Sequence, residues 1–149
     1  MPPNVELREI TRDNLDAILA LDVHDHQRGM VASNARSIAQ AYFWRDEAYF
    51  RAIYADGEPA GFVMLAFEPS DPPYVWRLMI DQRLQGKGVG RAAMRLILPH
   101  VRLQRPDAKE LLVSHVTAPG DPGPFYEKLG FTYTGAVSDG ERIMRLPLP

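Results

Sequence analysis

RLQGKGVGRAAM, residues 83–94, places glycines at 86, 88 and 90 and then runs directly into an alanine-rich segment of helical character. A glycine loop that feeds a helix has three physical uses: it cradles a phosphate, it turns a corner, or it belongs to a nucleotide motif. The neighbouring elements decide among them. Upstream, Tyr74 to Ile80 is a strand-like run, and a helix from about Gly88 carries Ala92, Ala93, Leu96 and Ile97 on its inner side. Pro99 is expected to kink or end that helix, because an interior proline costs about 3 kcal/mol or more.

Working outward, Val5 to Ile10 alternates apolar and polar residues as a half-buried strand does. Thr11 or Asp13 then caps a helix with Leu15, Ile18, Leu19 and Val23 inward, and Ser33 or Asn34 caps a second with Ile38, Ala41 and Tyr42 at helical spacing. Residues 22–33 show no period and read as a loop or broken helix. Ala48 to Tyr54 and Ala60 to Phe67 form a hairpin around Asp56-Gly57, a pair that favours a tight turn. Downstream, Glu110 to Thr117 is a strand and Pro122 to Leu129 a short helix stopped by Gly130. Phe131 to Val137 and Glu141 to Leu146 close the chain as a hairpin through Asp139-Gly140. The order β α α β β β α β α β β describes an α/β sheet of mixed direction with helices on its faces.

Composition narrows the function classes. A chain of 149 residues, 46% hydrophobic and 24% charged, reads as one globular domain spanning 1–149. A formal net charge of -2 provides no basic field for nucleic acid and no cationic face for a membrane. The absence of cysteine excludes disulfides, thiolate metal sites and cysteine nucleophiles. No stretch approaches the roughly 18 apolar residues of a membrane span, so a cytoplasmic protein is the expectation. Asp22, His24, Asp25 and His26 sit in one short loop with no second element of ligands, and no metal is expected.

Three motifs compete for the glycine loop. A Walker-type loop requires Ser or Thr after Gly-Lys, and Gly86-Lys87 is followed by Gly88. A dinucleotide fingerprint can be laid over Gly88, Gly90 and Ala93, but it belongs to the first strand–helix unit and needs an acid at the end of the next strand, where Glu110 opens its strand instead. A plain turn rarely needs so many glycines. What remains is Gln85-x-x-Gly88-x-Gly90 between a strand and a helix.

That pattern resembles the pyrophosphate loop of the GCN5-related N-acetyltransferase (GNAT) superfamily, and Phe125-Tyr126-Glu127-Lys128-Leu129-Gly130-Phe131 resembles a second segment of that family, in the right order and at about the right distance. Val31 to Ala41 and Trp76 to Asp81 are similar, less specifically, to bacterial spermine and spermidine acetyltransferases. The resemblance implies the GNAT fold, a mixed, mostly antiparallel sheet with one parallel strand–helix–strand unit across residues 74–117, and acetyl coenzyme A as cosubstrate. It implies a coenzyme site at Leu78, Met79, Ile80, Gln85, Gly86, Lys87, Gly88, Val89, Gly90 and Arg91, with Lys87 and Arg91 adding charge to the diphosphate. The chain departs from the family at residues 117–124, where TAPGDPGP replaces the loop in which many members carry an asparagine.

The reaction implied is direct acetyl transfer to a primary amine, a polyamine such as spermidine or spermine being expected. An amine of pKa about 10 must lose a proton before it attacks. A backbone N–H near Leu78 or Met79 is expected at the oxyanion and the Tyr126 hydroxyl at the leaving thiolate, although Tyr126 also fits a core aromatic. Glu68 and His115 are candidates for proton transfer, and Asp22, Asp25 and Asp81 for holding a cationic acceptor; each also reads as a surface charge or, for His115, a structural histidine. Tyr42, Phe43 and Trp44 fit either an acceptor wall or, at helical spacing, the core. Another acceptor (a protein N-terminus, an aminoglycoside, an amino acid) and a coenzyme-binding module without activity stay open, and the exposed closing hairpin makes a homodimer the expectation.

Overall fold

The computed structural model describes residues 2–149. Its elements are β1 (Val5–Arg8), α1 (Leu15–Leu19), α2 (Asn34–Ala41), β2 (Ala48–Ala55), β3 (Glu58–Ala66), β4 (Tyr74–Ile80), α3 (Val89–Gln104), β5 (Glu110–Val116), α4 (Gly123–Lys128), β6 (Thr132–Ser138) and β7 (Glu141–Pro147), with short 3₁₀ turns at Asp25–Gln27, Tyr42–Trp44 and Gln82–Leu84. The strands form one seven-stranded sheet in the order β1-β2-β3-β4-β5-β7-β6. All neighbours are antiparallel except β4 and β5, as the strand–helix–strand unit requires. Both hairpin turns hold Asp and Gly at positive φ, 50° and 80° at Asp56-Gly57 and 51° and 78° at Asp139-Gly140, which suits the twist of the flanking strands.

The sheet is covered on both faces, so β3 reads as an unbroken apolar run. Val63 and Leu65 point to the face covered by Val89, Ala93, Met94, Ile97 and Val101 of α3 and by Tyr126 of α4. Phe62 and Met64 point to the opposite face, under Ile18, Leu21, Val23 and Ala41. Two expectations fail on α3. Leu96 is 41% exposed, because the buried stripe steps through Val89, Ala93, Ile97 and Val101 at spacings of four. The helix also runs through Pro99 to Gln104: Pro99 lies on the solvent face, and the buried Ile97 and Val101 on either side outweigh the lost hydrogen bond.

On the other face, Ser33 is the residue that caps α2, its Oγ accepting the Arg36 N–H at 3.1 Å. Asn34 is buried and donates to the Ile18 carbonyl at 2.9 Å. Asn14 directly precedes Leu15 but makes no side-chain cap bond; Thr11 caps the turn that leads into α1, its Oγ1 accepting the Asp13 N–H at 3.2 Å and its own N–H donating to Asn14 Oδ1 at 2.7 Å. Tyr42 and Phe43 leave the helix in a 3₁₀ turn and are 61% and 76% exposed, so they are not core. Among the described residues no helix is long and apolar enough to cross a membrane.

The feature that positions the site is a split in the sheet. β4 and β5 pair only at Tyr74↔Leu112 and Val75↔Val113, after which they part. β4 bends there because Met64 pairs with Arg77 while Leu65 pairs with Val75, leaving Trp76 as an extra residue in a bulge. Gly61 keeps β3 tight against the far end of β4: a Cβ there would lie 2.3 Å from the Met79 carbonyl oxygen.

Candidate active site

The split opens into a cleft of about 860 Å³ between the end of β4, the glycine loop, the end of β5 and α4. On the β4 side the wall is backbone. The Asp81 N–H bonds the Ala60 carbonyl, so strand alternation turns the Met79 and Asp81 amides toward β3 and leaves those of Leu78 and Ile80 facing the opening. The Ile80 carbonyl, on that open side, accepts from Gln85 Nε2 at 2.9 Å. Leu78 therefore fits the expected oxyanion donor, and Met79 does not: its amide faces β3 and its side chain is buried.

The glycine loop continues that wall. Gly86 and Gly88 have φ of +77° and +85°, and a Cβ at either would meet nothing within 4 Å, so the open space lies above a backbone only glycine adopts freely. The N–H groups from Gly88 to Arg91 have no acceptor among the described residues. They converge at the positive end of the 16-residue α3, an arrangement that receives an anion such as a diphosphate. Gly90 packs its Cα against Phe125, whose ring atoms lie 3.1 Å from where a Cβ would stand. Arg91 lines the cleft. Val89 contributes only backbone, since its side chain is 1% exposed beneath the helix.

Gln85 and Lys87 play other parts than expected. The Gln85 amide is saturated by Ile80 O and by a reciprocal pair with Gln27, at 2.9 and 3.1 Å, so it fastens the loop rather than binding an anion through its side chain. Lys87 lies off the cleft, beside a separate hollow with Pro3, Asp56 and Leu84.

The opposite wall is made of side chains. Tyr126 is 5% exposed, lines the cleft, and its hydroxyl has no hydrogen-bond partner among the described residues. Burial, with a smaller effect of nearby Tyr74, raises its pKa well above the ordinary phenol value, so it stays protonated at any working pH. His115 also lines the cleft, but its ring is committed: Nδ1 lies 2.9 Å from the Val116 carbonyl and Nε2 2.9 Å from the Tyr133 hydroxyl. A carbonyl only accepts, so Nδ1 carries the proton and Nε2 takes the Tyr133 O–H, leaving no lone pair for substrate.

The proline- and glycine-rich loop is organised by Asp121. Its Oδ1 accepts the Gly123 N–H at 2.8 Å and its Oδ2 the Ala118 N–H at 3.1 Å. Burial opposes its charge, yet these two bonds, with His115 and Arg142, hold the carboxyl below its ordinary range. Gly123 is a steric requirement, since a Cβ would stand 2.5 Å from the Tyr133 hydroxyl oxygen and 3.2 Å from His115 Nε2. Gly120 meets the His26 ring across the cleft mouth, 3.5 Å from a Cβ position. The floor beyond is polar: Ser114 Oγ donates to Glu141 Oε1 at 3.0 Å and is hydrogen-bonded to the Tyr74 hydroxyl. Arg77 donates to Gln40 Oε1 at 2.9 Å.

A model of the acetyltransferase (GNAT) family matches residues 12–131. The chain belongs to the acetyltransferase (GNAT) family. The spermine/spermidine N(1)-acetyltransferase of Bacillus subtilis (strain 168) is 26% identical to it over 151 aligned positions, covering 95% of this chain and 97% of that one. Two solved structures share the fold. PaiA N-acetyltransferase from Thermoplasma acidophilum, in complex with coenzyme A, has a TM-score of 0.73 at 14% identity and covers 97% of this chain and 99% of its own. The ribosomal-protein-S18-alanine N-acetyltransferase from Escherichia coli has a TM-score of 0.72 at 17% identity, covering 97% and 94%.

In this GNAT chain the acidic residues expected at the acceptor stand elsewhere. Glu68 follows β3 at the end of the sheet opposite the opening and is exposed. Asp22 and Asp25 are tied to Arg28, at 2.8 and 3.3 Å, outside the cleft lining. Asp81 is 4% exposed and internally used: Oδ1 takes the Asp22 N–H at 2.9 Å, and Oδ2 takes Arg83 Nε at 2.7 Å. It pins the end of β4 to the segment after α1. The carboxylates that do line the cleft are Asp121 and Glu141. Glu141 carries one sequence signal, its place directly after the Asp139-Gly140 turn; that this turn delivers it to the cleft follows only from the pairing Val116↔Glu141.

Proposed function

We propose that the protein transfers the acetyl group of acetyl coenzyme A to a primary amine, by direct attack within a ternary complex. The observation that carries this reading is the unpartnered Tyr126 hydroxyl in a cleft that begins at a loop of free N–H groups. The glycine loop would hold the diphosphate, the opened edge of β4 would take the extended arm, and the Leu78 N–H would meet the oxygen that gains charge as the amine attacks. As the C–S bond breaks, the sulfur would take the Tyr126 proton. Its raised pKa ensures that the proton is there to give.

A polyamine is the acceptor our reading favours first, supported by the name of the Bacillus subtilis relative and by the half-buried Glu141 in the cleft. A second reading has its own observation. Arg36 and Arg77 line the same cleft, which favours an amine that also carries an acidic group. Thiol release from acetyl coenzyme A in the presence of spermidine, spermine, simple diamines, amino acids and a peptide N-terminus tests both. Turnover with polyamines alone supports the first reading and turnover with carboxylate-bearing amines alone the second. Coenzyme binding without turnover of any amine would contradict both.

A further inference from the structure

Of the two carboxylates that line the cleft, one is already spent. Asp121 uses both oxygens on backbone N–H groups and lies 3.7 Å from His115 Nδ1. Glu141 uses only Oε1, and Oε2 has no partner among the described residues. Ser114 has one hydrogen, and it goes to Glu141, so the bond between Ser114 and Tyr74 must be donated by the Tyr74 O–H. The three groups form a chain whose hydrogens all point toward Glu141. The groups facing Glu141 are Ser114 of β5 and Tyr74 and Arg77 of β4, with Arg36 of α2 beyond Arg77.

We propose that Glu141 takes the acceptor amine's proton, with Ser114 and Tyr74 as positioning residues that hold its carboxylate in the cleft. This rests on the acetyl-transfer reading above. An ammonium carries three protons on nitrogen and the product amide one, so two must leave. The first passes to Glu141 and on to water. The amine lone pair then forms the C–N bond, the C–S bond breaks, and the sulfur takes its proton from Tyr126. The second nitrogen proton goes to Glu141. Glu141 passes this proton to water as well, and Tyr126 regains its proton from water. The products are the amide, the thiol and one proton released to water.

The test is thiol release at saturating acetyl coenzyme A, from pH 6 to 9, for the wild type, Glu141→Gln and Tyr74→Phe, with coenzyme affinity measured in parallel. Glutamine keeps the acceptor for Ser114, so coenzyme affinity is expected within about twofold while kcat falls about 100-fold, within the usual range for a lost general base. The pH profile separates chemistry from structure. Wild-type kcat is expected to level off toward neutral pH, whereas kcat of Glu141→Gln keeps rising about tenfold per pH unit, because only the free amine, of pKa about 10, then reacts. Tyr74→Phe is expected to lower kcat about tenfold with an unchanged KM for the amine. A Glu141→Gln enzyme with the wild-type rate and profile would overturn the assignment of the base, and Tyr74→Phe with wild-type kcat would overturn the positioning role of Tyr74. A wild type that releases no thiol with any amine would overturn the acetyl-transfer reading and this proposal together.

Discussion

The wall of the cleft that runs from Leu78 through the glycine loop to Arg91 presents backbone, whereas the wall from Ser114 through Tyr126 to Glu141 presents side chains. In the proposed function the first would recognise a feature common to every coenzyme ester, which N–H groups at a helix end can do without side-chain chemistry. The second would have to hold and deprotonate one particular amine, for which it offers carboxylates, hydroxyls and guanidinium groups at fixed places. Substitutions on the two walls should accordingly separate binding of the donor from the rate of transfer.

The largest separation is expected at Tyr126. Tyr126→Phe removes a hydroxyl that no other group uses, so folding and coenzyme affinity should hold while kcat drops about 100-fold; equal losses in affinity and rate would erase the contrast between the walls. Gly88→Val is the mirror experiment. A β-branched residue at φ of +85° is strained by about 1–2 kcal/mol and displaces the N–H groups beside it. Coenzyme affinity measured by titration should fall at least tenfold, with kcat at saturation little changed.

The smallest effect expected concerns stability. The Asp81 carboxylate fastens the donor wall to Asp22 and Arg83. Burial works against its charge, but the Arg83 side chain and the Asp22 and Arg83 N–H groups more than compensate, and its pKa lies below the ordinary 3.8. A depressed folded-state pKa means that its contribution is fully present above the unfolded value and is lost as pH falls through the folded one. Asp81→Asn should therefore lower Tm at pH 7 by roughly 6 °C, for about 2 kcal/mol of charge-assisted hydrogen bonding. The gap to the wild type should close in acid below about pH 4. A gap that persisted there would remove charge from the explanation.

The same contrast explains what could be read from the sequence. Glycine demanded by positive φ and close approach leaves a local trace, so residues 83–94 disclosed the loop and the strand and helix around it. The hairpins were equally plain, since Asp56-Gly57 and Asp139-Gly140 suit turns of positive φ. The acceptor wall is assembled from β4, β5, α4 and β7, whose meeting is a fact of topology. Nothing near Glu141 in the chain announces Ser114 or Tyr74. Composition pointed to Asp22, Asp25, Glu68 and Asp81 instead, which lie in the first eighty-one residues and form ion pairs, loop ties or surface. His115, a candidate for proton transfer, lines the cleft yet is held by Val116 and Tyr133, a commitment visible only in three dimensions.

The most direct test of the donor wall is the amide spectrum of the protein, isotopically labelled and assigned, titrated with coenzyme A. The resonances of Gly88, Val89, Gly90 and Arg91 are expected to shift downfield together and saturate with the binding curve, as free N–H groups acquire phosphate oxygens. Binding that left those four amides unmoved would contradict the cradle on which the account depends.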